Sequence, residues 1–161
     1  VATDNKEGGR MAARRLAGWV QPAEHAGSAL PEDGSELQNH VLIAGFGRVG
    51  QIVGRMLRAR KIPFIALENS VDQVALSRKF GNMIYFGDPA RLEVLQSAHI
   101  DKAELLVIAA DDPETHLRIA RIARRHFPQL RIIARARNRQ HAFRLMDLGV
   151  AAIRETLLSS I

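Results

Sequence analysis

Three glycines, Gly45, Gly47 and Gly50, stand in a Gly-x-Gly-x-x-Gly pattern directly behind the apolar run His40 to Ala44. That spacing suits the holding of a phosphate. Gly45 permits a tight turn off a strand, Gly47 has no side chain to keep a pyrophosphate from the backbone, and Gly50 lets the following helix pack against the strand. The helix N-terminus then offers N–H groups and a positive dipole end to the anion. Phe46, Arg48 and Val49 fill the turn between the glycines. Arg48 can pair with a phosphate; as a mere surface arginine at a helix start it would be disfavoured by the dipole. About 20 residues past the glycines, where a carboxylate holds the adenosine ribose in such sites, a second apolar run ends in Glu68, followed by Asn69. A carboxylate there accepts from two ribose hydroxyls and repels a 2′-phosphate, so the expected ligand is of the adenosine or NAD type and not NADP. The competing readings are a glycine turn that serves only the architecture and a solvated acid at a strand end.

Further polar residues fall where later apolar runs end. Gly87 and Asp88 follow one, Asp111 and Asp112 another, and Arg135 and Arg137 a third. Alternation puts Arg131, Ile133, Arg135 and Arg137 on one face of the last strand. The two arginines at its end can bind carboxylates through bidentate bonds, or stand as a charge pair on an edge strand. Asp88-Pro89 and Asp112-Pro113 each read as a helix N-cap followed by proline at the first helical position, which competes with a ligand role for either acid.

The elements that must position these residues alternate. Strands are expected at 41–46, 63–68, 83–87, 105–110, 131–136 and 151–153. Helices are expected at 48–60, 70–80, 89–97, 113–126 and 139–148, with Gly81 and Gly149 as stop signals. In the first helix Val49, Ile52, Val53, Met56 and Leu57 form the inward face, and in the second Val71, Val74, Ala75 and Leu76. Arg118, Arg121, Arg124 and Arg125 are placed on the outward face of the fourth. The unbroken apolar run from Leu105 to Ala110 is typical of a strand covered on both faces. Strands alternating with helices imply right-handed crossovers and a parallel sheet. The fold class is therefore α/β, a Rossmann-like three-layer fold with a parallel, doubly wound sheet, its crevice at the carboxyl ends of the first and fourth strands.

With 161 residues, 47% hydrophobic and 25% charged, the chain can close one domain with a full core. Twenty-three Lys and Arg against 17 Asp and Glu give a formal charge of +6, which suits anionic partners. Aromatics are only 5%, so a stacking platform for single-stranded nucleic acid is not expected; nucleic-acid binding rests on charge alone and is not the reading adopted. No cysteine is present, which removes disulfides and thiolate chemistry. No apolar run reaches the length that crosses a bilayer, and no secretory signal precedes the domain; the start at Val1 suggests an excised or processed fragment. Residues 1–39 read as a linker or tether, in which 10–20 can form a short basic amphipathic helix. None of the six histidines pairs with another at metal-ligand spacing, so no metal site is expected. No acid–base or nucleophile constellation is apparent, and no substrate domain follows the nucleotide half. The chain is thus expected not to be an enzyme; the alternative is the nucleotide-binding half of an NAD-dependent oxidoreductase.

Residues 40–156 resemble an RCK domain, also called KTN or TrkA-N, most closely that of the Kef-type glutathione-gated potassium efflux systems. The residues carrying the resemblance are Ile43 to Gln51, Arg78-Lys79-Phe80-Gly81, Tyr85-Phe86-Gly87-Asp88, Asp111-Asp112-Pro113-Glu114-Thr115, and Ile132 to Arg137 with His126-Phe127-Pro128 before it. Pro89 and Ala90 depart from the family pattern of Ala followed by Thr or Ser. The resemblance implies a regulatory domain on the cytoplasmic face of a bacterial inner membrane, joined in the same polypeptide to the membrane-spanning portion of a potassium/proton antiporter. It implies AMP or NAD(H) over Gly45 to Gly50 and Glu68, glutathione or its conjugates near Arg135 and Arg137, and a homodimer in the parent protein. Residues 157–161 would then be the truncated start of a following helix.

Overall fold

The structure, a computed structural model, describes residues 38–80 and 84–154. The tether, its amphipathic helix, the Gly81 stop signal and the segment 157–161 lie outside the described residues, apart from the tether's last two positions. The elements, in order, are β1 (Val41–Ala44), α1 (Arg48–Ala59), β2 (Phe64–Glu68), α2 (Val71–Lys79), β3 (Ile84–Phe86), α3 (Leu92–Ser97), a short 3-10 turn (Ile100–Lys102), β4 (Leu105–Ile108), α4 (Pro113–His126), β5 (Arg131–Ala136), α5 (Arg139–Asp147) and β6 (Ala151–Arg154). The six strands form one sheet in the order β3-β2-β1-β4-β5-β6, and every neighbouring pair is parallel. This is the expected doubly wound, Rossmann-like three-layer fold. The order reverses between β1 and β4, where Val41 pairs with Leu105 and Ala44 with Ile108.

Strict alternation along the central strands divides the core. Val41, Ile43, Leu105 and Val107 face one layer, with Val53 and Leu57 of α1 and Val74 of α2. Leu42, Ala44, Leu106 and Ile108 face the other, with Leu95 of α3, Leu117, Ile119 and Ala120 of α4, and Leu145 of α5. The four central residues of β1 and of β4 are all buried, as a strand covered on both faces requires. Among the described residues no helix is long and apolar enough to cross a membrane.

The helix faces differ from the periodic expectation in two places. In α1 the buried stripe is Gly50, Val53, Gly54 and Leu57, whereas Ile52 is 43% exposed. The rings of Phe46 and Phe64 lie so close over Gly54 that a Cβ there would meet both at 3.1–3.2 Å. Small residues thus bring this helix onto the sheet, and an apolar count does not register them. In α2 only Val74 and Ser77 are buried; Val71 and Leu76 are 66% and 50% exposed. The expected start of the third helix at Pro89 is also corrected, because α3 begins at Leu92. Asp88 instead opens a turn: its carboxylate accepts the Ala90 N–H (2.9 Å) and its carbonyl the Arg91 N–H (3.1 Å). Proline suits the second position of such a turn as well as the first position of a helix, so the dipeptide alone does not decide between them. At Asp112-Pro113 the helix does start, with Asp112 accepting from the N–H and the hydroxyl of Thr115.

Arg124 overturns the placement of four arginines on the outward face of the fourth helix. Arg118, Arg121 and Arg125 are exposed, but the Arg124 guanidinium turns in to four backbone carbonyls. Its Nε donates to Leu148 (3.0 Å), Nη1 to Pro128 (2.7 Å) and Leu130 (3.0 Å), and Nη2 to Gly149 (2.9 Å). One side chain therefore ties the end of α4 to the loop before β5 and the turn before β6. It stands four residues beyond buried Ala120 and seven beyond buried Leu117, on the core-facing stripe. Replacing it by Met leaves those carbonyls without their charged donor. Arg124→Met is expected to cost about 2–3 kcal/mol in urea unfolding, against less than about 0.5 kcal/mol for Arg118→Met; equal losses would refute the clamp.

Candidate functional site

The strand ends converge on an open cleft of about 200 Å³ lined by Gly45, Gly47, Glu68, Asn69, Pro89, Ala109, Ala110, Asp111, Asp112 and Thr115. One wall is the turn from β1 into α1. Gly45 sits at φ +96°, and a Cβ on it would lie 2.7 Å from the backbone nitrogen of Ala110. Conformation and space both demand glycine there. A Cβ on Gly50 would overlap the Gly45 carbonyl, so the helix meets its own turn at van der Waals contact. Gly47 is the N-cap of α1; no side chain caps the helix, and no acid stands in its first turn. An uncapped helix start beside a cleft presents N–H donors and a positive dipole end to an anion.

Glu68 stands beside this turn, and its carboxylate already has partners. Oε2 accepts the Phe46 N–H (2.8 Å), and Oε1 accepts the N–H groups of Asn69 (2.8 Å) and Ser70 (3.0 Å). It clamps the end of β2 to the glycine turn and to the start of α2. A carboxylate offers about four lone-pair positions, so three backbone donors leave it one acceptor for a ligand.

The remaining candidate residues separate by position. Phe46 is 1% exposed in the core and reaches the site through its backbone. Val49 is half-buried behind the turn, and Arg48 is exposed at the helix start. Gly87 and Asp88 lie beyond Glu68, with the Gly87 N–H on the Glu68 carbonyl (3.0 Å); neither lines the cleft. Asp111 lines it and also borders a much smaller cavity, of about 10 Å³, with Ala110, Pro113, His116, Arg135, Arg137 and His141. Arg135 and Arg137 are thus brought together, with the nucleotide-type cleft next door. Arg137 lies just past the strand end, and the β5 face carrying Arg131 and Arg135 also carries Ile133. Among the described residues no group of three His, Cys, Asp or Glu side chains is placed to hold a metal.

Sequence reasoning missed the two histidines of this cavity and Thr115. His116, on α4, and His141, on α5, are buried with ring centroids 5.3 Å apart. His116 Nε2 donates to the Ala110 carbonyl. The Arg137 N–H donates to His141 Nδ1 (3.1 Å), and Asn138 caps α5 by accepting the His141 N–H (2.8 Å). The histidines are 25 positions apart in the chain, and only the packing of α4 on α5 joins them. The Asp-x-x-Thr spacing at Asp112 and Thr115 was a local signal for the cap. The Thr115 hydroxyl and N–H hold the Asp112 carboxyl below its usual range.

Burial pushes His116 and His141 below their ordinary 6.5, the former against its bond to Ala110, the latter aided by the charges of His116 and Arg144. His40, buried with Nε2 on the Ala98 carbonyl (3.1 Å), is lowered for the same reason. The native state thus favours neutral rings, while the unfolded chain takes protons from about pH 6.5 downward. Stability is complete above that pH and falls as pH drops toward the lowered native values. The thermal midpoint is expected to decline from pH 7.5 to pH 5. His116→Gln, whose amide can still donate to Ala110, should flatten part of that decline; an unchanged profile would remove His116 from the cause.

Comparison with known proteins agrees with this geometry. Residues 41–155 match the TrkA-N domain family. The chain is 46% identical over 116 residues to the glutathione-regulated potassium-efflux system protein KefC of Cronobacter sakazakii, covering 72% of this chain and 19% of that protein. It is 44% identical over 127 residues to the KefC of Salmonella arizonae, covering 78% and 20%. The chain therefore spans about a fifth of the length of these relatives. Among solved structures it is similar to the Kef CTD of Shewanella denitrificans in its AMP-bound form, with 43% identity, a TM-score of 0.67 and coverage of 76% of this chain and 74% of that one. It is also similar to the TrkA-N domain of the Escherichia coli inner membrane protein ybaL, with 31% identity, a TM-score of 0.67 and coverage of 73% and 87%. By the sheet order, the glycine turn and these matches, the chain belongs to the TrkA-N domain family.

Proposed function

We propose that this domain is the nucleotide-sensing unit of a potassium-efflux system, binding AMP or NAD(H) without turning it over. The observation that carries the reading is the uncapped start of α1 at Gly47, beside a cleft that Glu68 also lines. The similarity to an AMP-bound Kef domain supports it. In this reading the phosphate lies over Gly45, Gly47 and Gly50, with Phe46, Arg48 and Val49 shaping the turn. The ribose meets the remaining acceptor of Glu68 beside Asn69. Gly87 and Asp88, outside the cleft lining, stand behind Glu68 on the adenosine side, and Asp111 lines the other end. Glu68 disfavours a 2′-phosphate, so NADP⁺ is excluded.

Arg135 and Arg137 carry the second half of the proposal. They border a separate small cavity whose neighbour is the nucleotide cleft, and they can take the carboxylates of glutathione or its conjugates through bidentate bonds. The KefC relatives are named as glutathione-regulated potassium-efflux proteins, which supports that effector. The transporting partner is then a membrane-spanning antiporter portion of the same polypeptide, the domain lies on the cytoplasmic face of the inner membrane, and the parent protein is a homodimer. Each ligand biases the gate only by its difference in affinity between two arrangements of the paired domains.

Two substitutions separate binding from folding. A methyl on Gly47 would meet only the Asp111 carboxylate, at 3.7 Å, on an extended backbone that alanine adopts. Gly47→Ala should therefore keep the thermal midpoint yet weaken calorimetric AMP or NAD⁺ binding at least about tenfold, by filling the space a phosphate needs. Glu68→Ala should lower both, because it also releases three backbone N–H groups. Full AMP and NAD⁺ affinity in a folded Gly47→Ala protein would refute the phosphate placement.

A further inference from the structure

We propose that Asp111 sets how long a phosphate chain the cleft accepts and makes binding of di- and triphosphates depend on a divalent cation; this rests on the nucleotide reading above. Four carboxylates stand at or near the carboxyl ends of β2, β3 and β4. Glu68 accepts three backbone N–H groups, Asp88 that of Ala90, and Asp112 the N–H and hydroxyl of Thr115. Each of those three therefore has a structural occupation. Asp111 has no hydrogen-bond or ion-pair partner among the described residues. It is exposed, lines both cavities, and presents both oxygens, each 3.7 Å from where a Cβ on Gly47 would stand.

An unneutralised carboxylate aimed at an anion-binding turn needs a physical reason. Strand order places Glu68, the glycine turn, Asp111 and Arg135 in succession across β2, β1, β4 and β5. A nucleotide with its ribose on Glu68 and its first phosphate over Gly47 therefore sends its next group toward Asp111. A hydroxyl arriving there finds an acceptor. A terminal phosphate arriving there finds a like charge, with the arginines of β5 beyond it. A magnesium ion reverses the sign of that encounter, since it is commonly held by one or two carboxylates together with substrate phosphates.

Calorimetric titration of the wild-type chain and Asp111→Asn with AMP, ADP and ATP, in EDTA and then in magnesium, tests this. In EDTA the wild type should bind AMP about tenfold more tightly than ADP, the effect of one unit charge a few ångströms away in a partly solvated cleft. Asp111→Asn should raise the ADP-to-AMP affinity ratio about tenfold and remove most of the magnesium dependence of ADP and ATP binding. Asp111 holds no backbone group, so the substitution leaves the fold intact. An unchanged ADP-to-AMP ratio in the variant would overturn the role of Asp111 and leave nucleotide binding standing. Failure of the wild type to bind AMP, ADP, ATP or NAD⁺ would overturn both.

Discussion

The Glu68 carboxylate is the constraint on which the site depends. It ends β2, and through three backbone N–H groups it reaches the glycine turn after β1 and the first residues leading into α2. Hydrogen bonds to a charged acceptor are stronger than those between neutral groups, and this acceptor is only partly exposed. The turn is pressed from the other side by Ala110, whose backbone leaves no room for a side chain on Gly45. Clamped between β2 and β4, the start of α1 points its uncapped end into the crevice at the topological switch. The residue proposed to meet a ribose is therefore also the one that holds the glycine turn in place.

The same economy of parts recurs on the other half of the sheet. His116 and His141 fill the gap between the ends of β4 and β5, one bonded to the Ala110 carbonyl and the other to the Arg137 N–H. Ala110 also presses on the glycine turn, so contacts pass from the cleft through the two histidine rings to the Arg137 backbone. Such continuity supplies a physical route for coupling, although coupling itself is a difference in free energy between states. Arg124 plays the complementary part, away from the cleft, by collecting the carbonyls of two turns onto one guanidinium.

The fold was legible because its signals are local and repeated. Apolar runs of strand length, helical spacing between them and glycine at the turns gave the alternation, and alternation with short connections admits few topologies. The errors came where a local signal fits two structures. Asp-Pro opens a turn at residue 88 and a helix at residue 112. Apolar counts drew Ile52, Val71 and Leu76 inward, whereas the helices use Gly54 and Ser77 to approach the sheet. Arg124 was assigned to solvent by its charge, although its position on the helix already placed it on the buried stripe.

By itself the sequence determined the alternation of strand and helix, the position of the phosphate-type turn, the acid at the end of the second strand and the cap at Asp112, since each rests on residues a few positions apart. Tertiary structure alone decided what each polar side chain is occupied with. It filled most of Glu68 with backbone donors, turned Arg124 onto four carbonyls, and joined two histidines 25 positions apart. It also left Asp111 facing Gly47 without a partner among the described residues. Hydrogen-bond partners are set by how strands and helices pack in space, which the order of residues along one strand or helix does not specify.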